Sequence, residues 1–396
     1  MEFIINNKTL KDAIGRISAL VEKKSSVPAL QGIKFEADSD GLTLQATNLE
    51  SWVTLKVTDV QVITGGAIVI TIPDVEKILM VKDMIRITTN DRFIVSAKSE
   101  KKKSSVCGID VKEYVEFPAI DMNPDTLVMG IPNAVEFCDT LKIVGEAKSD
   151  NMANPIYTGF NFRSDYSSIC CVDGFRMNIR IVDWFTDNAV NMICIGRMEK
   201  EIAKIVGKSD RPINVYKGKA ASGSHYAVFV GDDYEYFVRL LDGNFLDWKM
   251  SVPYGIGESE FTFADTKSMI DTLKEYSKYK SDNGYYAPCK ICGYTDNAIL
   301  TNYAVSSYRT TDKIDVVGNI NTEMMVGVNP NYMMSVLKVF NKLGIDYTVK
   351  YYGALKPIVI TGGDYICLVV PMRVSEDVNA FQYNTIRESI VAEFVA

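Results

Sequence analysis

Two hydrophobic rhythms alternate along this chain. Phe3-Ile4-Ile5 reads as a strand, and Leu10, Ile14, Ile17 and Val21 then repeat at helical spacing over 8–21, with Lys8, Lys11 and Arg16 off the stripe. Period-two segments follow at 32–37, 42–46, 52–57 and 67–72, the first pair turning at Asp40-Gly41. Pro73 stands where a helix can begin without losing a needed backbone donor, so 74–81 reads as a short helix. Strands at 84–88, 93–97 and 106–111 complete this set, with Lys101-Lys102-Lys103 at a solvated hairpin tip.

The same order recurs twice. A strand at 128–131 opens a second copy, followed by a helix with Val135, Cys138, Leu141 and Val144 as its apolar stripe. Gly159-Phe160-Asn161-Phe162 matches Gly32-Ile33-Lys34-Phe35, and 193–197 leads into a helix at 198–206, with Gly207 as its C-cap. A third copy opens at 261–263, turns Met269, Leu273 and Tyr276 inward on a helix from Asp265, and carries a second helix at 331–343. Three copies at a period of roughly 125–130 residues, each with two helices and about eight strands, predict an α+β protein. The expected domains are 1–125, 126–254 and 255–374, each with helices packed on antiparallel sheets, and 375–396 is a C-terminal extension.

Composition narrows the function. The 396 residues carry a net charge of −7, which speaks against nucleic-acid binding over the whole surface but permits it on one face. No apolar run reaches membrane-spanning length, and the first residues lack the form of a signal peptide, so the expected location is cytoplasmic. Of eight cysteines, only Cys289 and Cys292 have metal-like spacing; no second pair completes a tetrahedral site, and no metal or cofactor is expected. Catalytic chemistry has little to rest on. The one histidine, His225, lies in a polar run without a nucleophile beside it, 206–209 lacks the first glycine of a phosphate loop, and Asp232-Asp233 suits a hairpin turn.

The repeated helices instead offer basic residues: Lys11 and Arg16, Lys77 and Lys82, Lys142 and Lys148, Arg197, Lys200 and Lys204, Lys274 and Lys278, Lys338 and Lys342. On any one helix these read as a solvated face; on corresponding helices of every copy they suit a wall that holds phosphate without reading sequence. Near the middle of the chain, Asp173-Gly174 marks a tight turn between two apolar runs, with Phe175, Met177 and Ile179 alternating against Arg176, Asn178 and Arg180.

These residues resemble the bacterial DNA polymerase III beta subunit family of DNA sliding clamps over essentially 1–374. The resemblance rests on Ser26-Val27-Pro28-Ala29-Leu30, Ala46-Thr47-Asn48-Leu49-Glu50, Pro155-Ile156-Tyr157-Thr158-Gly159 and Val172-Asp173-Gly174-Phe175-Arg176-Met177. It rests equally on Leu241-Asp242-Gly243-Asn244-Phe245-Leu246-Asp247-Trp248 and Val369-Val370-Pro371-Met372-Arg373-Val374. It implies a head-to-tail dimer closing a ring of six domains around duplex DNA, with no catalysis of its own, tethering a DNA polymerase and engaging clamp-loader subunits through short peptide motifs. The peptide pocket it implies comprises Tyr157, Val172, Gly174, Phe175, Arg176, Met177, Leu246, Ser251, Leu368, Val370, Pro371, Met372 and Arg373, with Arg176 and Arg373 bonding the peptide backbone. DNA would face Lys24, Lys11, Lys77, Lys142, Lys148, Arg197, Lys200, Lys204, Lys274, Lys278 and Lys338. The subunit junction would join the first domain to the third, with Cys107 and Ile109 on one edge and Tyr276 and Tyr279 on the other.

The chain departs from the family's pattern in ways that bear on function. Phe175 stands where His is usual, Val75 and Glu76 where basic residues are common, Gly196-Arg197-Met198 where Pro-Arg-Lys is common, and Asn154 for a usual arginine. The inner wall is therefore expected to be less basic than in the family. The extension carries Phe381, Ile386, Ile390, Val391 and Phe394 at spacings compatible with an amphipathic helix beside the pocket. The alternative function is a clamp-fold paralogue that no longer tethers DNA and regulates or decoys clamp-binding proteins.

Overall fold

Among the described residues up to Met372, six helices punctuate an otherwise antiparallel β structure in the computed structural model, which describes residues 1–22, 24–279, 289–294, 297–302 and 310–372, together with Glu388 and Ala392. The helices are α1 (Asn7–Ile17), α2 (Ile72–Ile78), α3 (Ala134–Val144), α4 (Met198–Val206), α5 (Thr266–Tyr276) and α6 (Pro330–Leu343), two in each sequence repeat. Their ends follow local chemistry. The Asn6 and Asp265 side chains accept hydrogen bonds from the Lys8 and Ser268 amides at the starts of α1 and α5, while Gly207 and Gly344 end α4 and α6 at φ of 64° and 63°. Among the described residues, no helix is long and apolar enough to cross a membrane.

The chain divides into two compact units. The first contains Met1–Lys142, Asn161–Ser167 and Asp183–Gly243. One sheet in it runs Val60–Thr64, Glu2–Asn6, Met84–Thr89, Ile94–Lys98, Lys103–Cys107. The other runs Leu127–Ile131, Ile213–Lys219, His225–Val230, Tyr234–Arg239, Ser51–Val57, Gly41–Thr47, Gly32–Asp38, Gly66–Thr71. Its central join pairs Tyr236 with Val53, so strands of the first and second repeats share one hydrogen-bonded ladder. The second unit contains Ile143–Phe160, Ser168–Val182 and Asn244–Ala396. Its strands run Ser168–Val172, Arg176–Ile181, Tyr365–Val369, Ile358–Gly362, Thr348–Tyr351, Ser259–Phe263, Thr311–Asn319, Asn297–Thr301, Cys289–Tyr294, Met325–Val328. Here Met177 pairs with Leu368, joining second-repeat strands to third-repeat ones. Edge-to-edge pairing of this kind removes exposed strand edges and makes contact units that do not follow the sequence repeats.

Local differences from the sequence reading have physical causes. The α1 stripe is as expected, with Leu10, Ile14 and Ile17 buried. On α3 the inward stripe is Ala134, Phe137, Leu141 and Val144, while Val135 is exposed; Phe137 buries its ring against Phe162, Trp184 and Phe229. Strand Val60–Thr64 shows no buried alternation because it is an edge strand, and the strand expected at 106–111 instead spans Lys103–Cys107. His225, expected in a loop, opens strand His225–Val230 and remains exposed. Cys289 and Cys292 are both buried in one strand.

Candidate functional site

The hairpin at Asp173-Gly174 is shaped by its own side chains. The Asp173 carboxylate accepts hydrogen bonds from the Phe175 and Arg176 amides, each at 2.9 Å, and Gly174 adopts φ of 90°, which an L-residue resists. That turn lifts Phe175 out of the strand, leaving it 58% exposed while Met177 and Ile179 point inward. Its ring stacks on Tyr332 of α6 at a centroid distance of 6.0 Å, and its carbonyl accepts the Val370 amide at 2.8 Å. The Met372 amide bonds the Gly327 carbonyl, so the last continuous described stretch lies between the hairpin and the start of α6. Burial, with the Asp173 carboxylate adding to it, raises the Tyr332 phenol above its ordinary pKa.

Arg176 is committed to this frame. Its guanidinium bonds Asp173 at 2.9 Å and the Ser335 hydroxyl at 2.7 Å, and lies over the Tyr332 ring at 5.0 Å. The expected role of bonding a peptide backbone is therefore secondary to holding the turn against α6. Val172, Met177 and Leu368 are buried at 6%, 3% and 3%: they are the floor beneath the hairpin rather than accessible lining, because their strands are covered on that face. Exposed apolar groups come from Phe175, Val370 and Leu246. Leu246 follows Phe245, whose ring meets Tyr157 edge-on at 5.2 Å, and Ser251 closes a turn anchored by the Trp248 indole on Ser168 at 3.0 Å. Arg373 lies outside the described residues, as does the extension apart from Glu388 and Ala392.

The first unit holds the basic site. Helices α1, α2 and α4 and the segment after α1 border a groove of about 1020 Å³ that brings together Lys11, Lys24, Arg197, Lys200 and Lys204. Glu22, Glu76 and Glu201 share its walls, and Val75 is buried beneath it. Glu201, only 3% exposed, is fully engaged: it accepts from Asn48 at 2.8 Å and the Tyr236 hydroxyl at 2.7 Å and pairs with the Arg197 Nε at 2.9 Å. Burial, then the Glu201 carboxylate, holds the Tyr236 phenol well above its ordinary pKa. The buried acid is thus a structural anchor for the start of α4.

The family model for the DNA polymerase III beta subunit, N-terminal domain, matches residues 1–120. The beta sliding clamp of Bacillus subtilis (strain 168) is 22% identical over 395 residues, covering 94% of this chain and 100% of that protein. That of Halalkalibacterium halodurans is 23% identical over 382 residues, covering 92% and 97%. The crystal structure of the DNA polymerase sliding clamp from Bacillus subtilis superposes with a TM-score of 0.83 at 19% identity, over 95% of this chain and 100% of that one. Over nearly its whole length the chain is similar to beta sliding clamps and shares their fold.

The other basic positions of the chain fare differently. Lys77 pairs with Asp74 at 2.7 Å, one turn away on its own helix, and does not line the groove. Arg16 makes a double hydrogen bond to Asp233 and a third to the Ile205 carbonyl, which turns an expected basic-face residue into a strut between the first and second repeats. Lys142 is exposed on α3. In the second unit Lys148 sits over the Phe160 ring at 4.7 Å, and Lys274, Lys278 and Lys338 are exposed on or beside the packed pair α5 and α6.

At the expected subunit edges, Cys107 is exposed on the outer strand of its sheet, and Ile109 exchanges backbone hydrogen bonds with Val69. Tyr276 corrects the expectation. It is 1% exposed, with its hydroxyl 2.9 Å from the Leu300 carbonyl and 2.8 Å from Asp312, because the inward stripe of α5 carries it into the core. Tyr279 stacks edge-on against it at 5.4 Å and is only partly covered. Sequence reasoning missed Tyr332 and Ser335 at the hairpin, and Asn48, Glu50 and Tyr236 around α4. Asn48 and Glu50 lie in a segment that carries the family resemblance, but no local signal ties them to α4.

Proposed function

We propose that this clamp homologue encircles duplex DNA as a head-to-tail dimer and tethers a DNA polymerase through a hydrophobic peptide pocket, without catalysis of its own. The observation that carries the reading is the convergence of Lys11, Lys24, Arg197, Lys200 and Lys204 on one helical groove. Cations on helix faces suit sequence-blind, sliding contact with phosphates. The exposed Phe175, braced from behind by Tyr332 and Arg176, supports an apolar docking point for a peptide anchor. The three-domain division at 1–125, 126–254 and 255–374, the junction through Cys107, Ile109 and Tyr279, and a cytoplasmic location belong to the same proposal.

Loading onto nicked circular DNA by a clamp loader tests it. The ring should co-elute with the circle and leave after linearisation, and light scattering should give a dimer. Loss from both DNA forms, with polymerase-peptide binding intact, would replace this reading by the decoy paralogue. That second reading is favoured by one observation: Glu22, Glu76 and Glu201 stand among the groove's cations.

A further inference from the structure

We propose that Glu50 is a built-in phosphate surrogate that occupies Arg197 and sets how strongly the groove grips a polyanion. The proposal rests on the DNA-encircling reading and deepens it. Arg197 stands at the N-terminus of α4, with its side chain 42% exposed at the groove. Two carboxylates hold it from different sides: buried Glu201 at Nε and half-exposed Glu50 at a terminal nitrogen, both at 2.9 Å. Their roles differ. Glu201 is fixed by Asn48 and Tyr236, so it positions the guanidinium and cannot leave. Glu50 carries no such load. Its backbone is pinned by the Ser51 turn, where the Asn48 side chain accepts its amide, and by the Arg239 amide donating to its carbonyl at 2.9 Å. Its side chain is 53% exposed, and among the described residues it pairs with Arg197.

A carboxylate bonded to a terminal guanidinium nitrogen takes the place that a DNA phosphate oxygen would take. A phosphate approaching Arg197 must displace Glu50 or bind beside its charge, and displacement leaves Glu50 in water, where a carboxylate is well solvated. Glu201 keeps the guanidinium aimed while the exchange happens. Glu50 thus lowers the groove's effective charge without altering its form, and is a positioning residue acting through Arg197.

The test uses the full chain, a fluorescently labelled duplex of about 30 bp and anisotropy across a salt series. Removing one opposing charge at a surface pair predicts roughly two- to fivefold tighter binding for Glu50→Gln at low salt. Releasing one cation to contact phosphate steepens the slope of log K against log salt by about 0.9. In an Arg197→Ala background, Glu50→Gln should change neither quantity. An unchanged slope in the single variant, or an equal gain with and without Arg197, would overturn the proposal. If the parent chain and all variants fail to bind duplex at low salt, the DNA-encircling reading fails instead. Circular dichroism melts of each variant keep folding defects separate from binding, and Glu50→Asp should restore the parent slope.

Discussion

Replacing Glu201 by alanine is the sharpest test of how the groove is built. Its carboxylate is 4% exposed and is bonded by Asn48 at 2.8 Å, Tyr236 at 2.7 Å and Arg197 at 2.9 Å. Truncation leaves the fully buried Tyr236 hydroxyl with only the Ser51 hydroxyl, 3.4 Å away, and leaves the Asn48 amide nitrogen without its acceptor. An unpartnered buried donor costs about 1–3 kcal/mol. Against this, removing a buried carboxylate also removes its desolvation penalty, and Arg197 can turn to water or Glu50. The net expectation is about 2–4 kcal/mol lost, or a Tm decrease of roughly 5–15 °C. Thermal unfolding by circular dichroism at neutral pH measures it. A decrease below about 1 °C would refute the claim that this network holds the start of α4.

The same network sets an alkaline limit. The Tyr236 phenol is raised above its ordinary pKa, first by burial and then by Glu201, so it stays protonated in the fold while the unfolded chain titrates near pH ~10. Its contribution is complete below about pH 10 and is lost above it, up to the folded-state pKa, at about 1.4 kcal/mol per pH unit. Tyr236→Phe should flatten the alkaline fall of stability by that one proton, read from urea unfolding at several pH values. Phe175→Ala should weaken binding of a labelled polymerase-derived peptide by about tenfold or more with Tm unchanged, since the ring is 58% exposed; equal affinity would remove Phe175 from the pocket. Arg176→Lys cannot hold Asp173 and Ser335 together, so about 1–2 kcal/mol of stability should go with part of the peptide affinity; a neutral result would refute the bracing role. With a thiol reagent at neutral pH, Cys107 should react fast, whereas burial raises Cys138 and Cys289 to about 12 and they should react only on unfolding.

Periodicity alone determined the elements and their threefold recurrence, because burying one face of a helix or strand imposes its rhythm on the chain. The stripe Leu10, Ile14 and Ile17 and the inward set Met269, Leu273 and Tyr276 are legible for that reason. The hairpin at Asp173-Gly174 is legible too, since its turn depends on two adjacent residues. What periodicity cannot carry is the partner of a polar group. Arg16 and Asp233, or Glu50 and Arg197, are far apart in sequence and meet only because strands of different repeats pair edge to edge. So the sequence by itself placed the cations on the helices and the aromatic at the turn. Only the tertiary structure decided that Arg176 is a brace, that Tyr276 is core, and that carboxylates hold Arg197 of the basic groove. The physical reason is range: hydrophobic burial repeats along the chain, whereas ion pairs and hydrogen bonds are chosen by whatever the fold brings within about 3 Å.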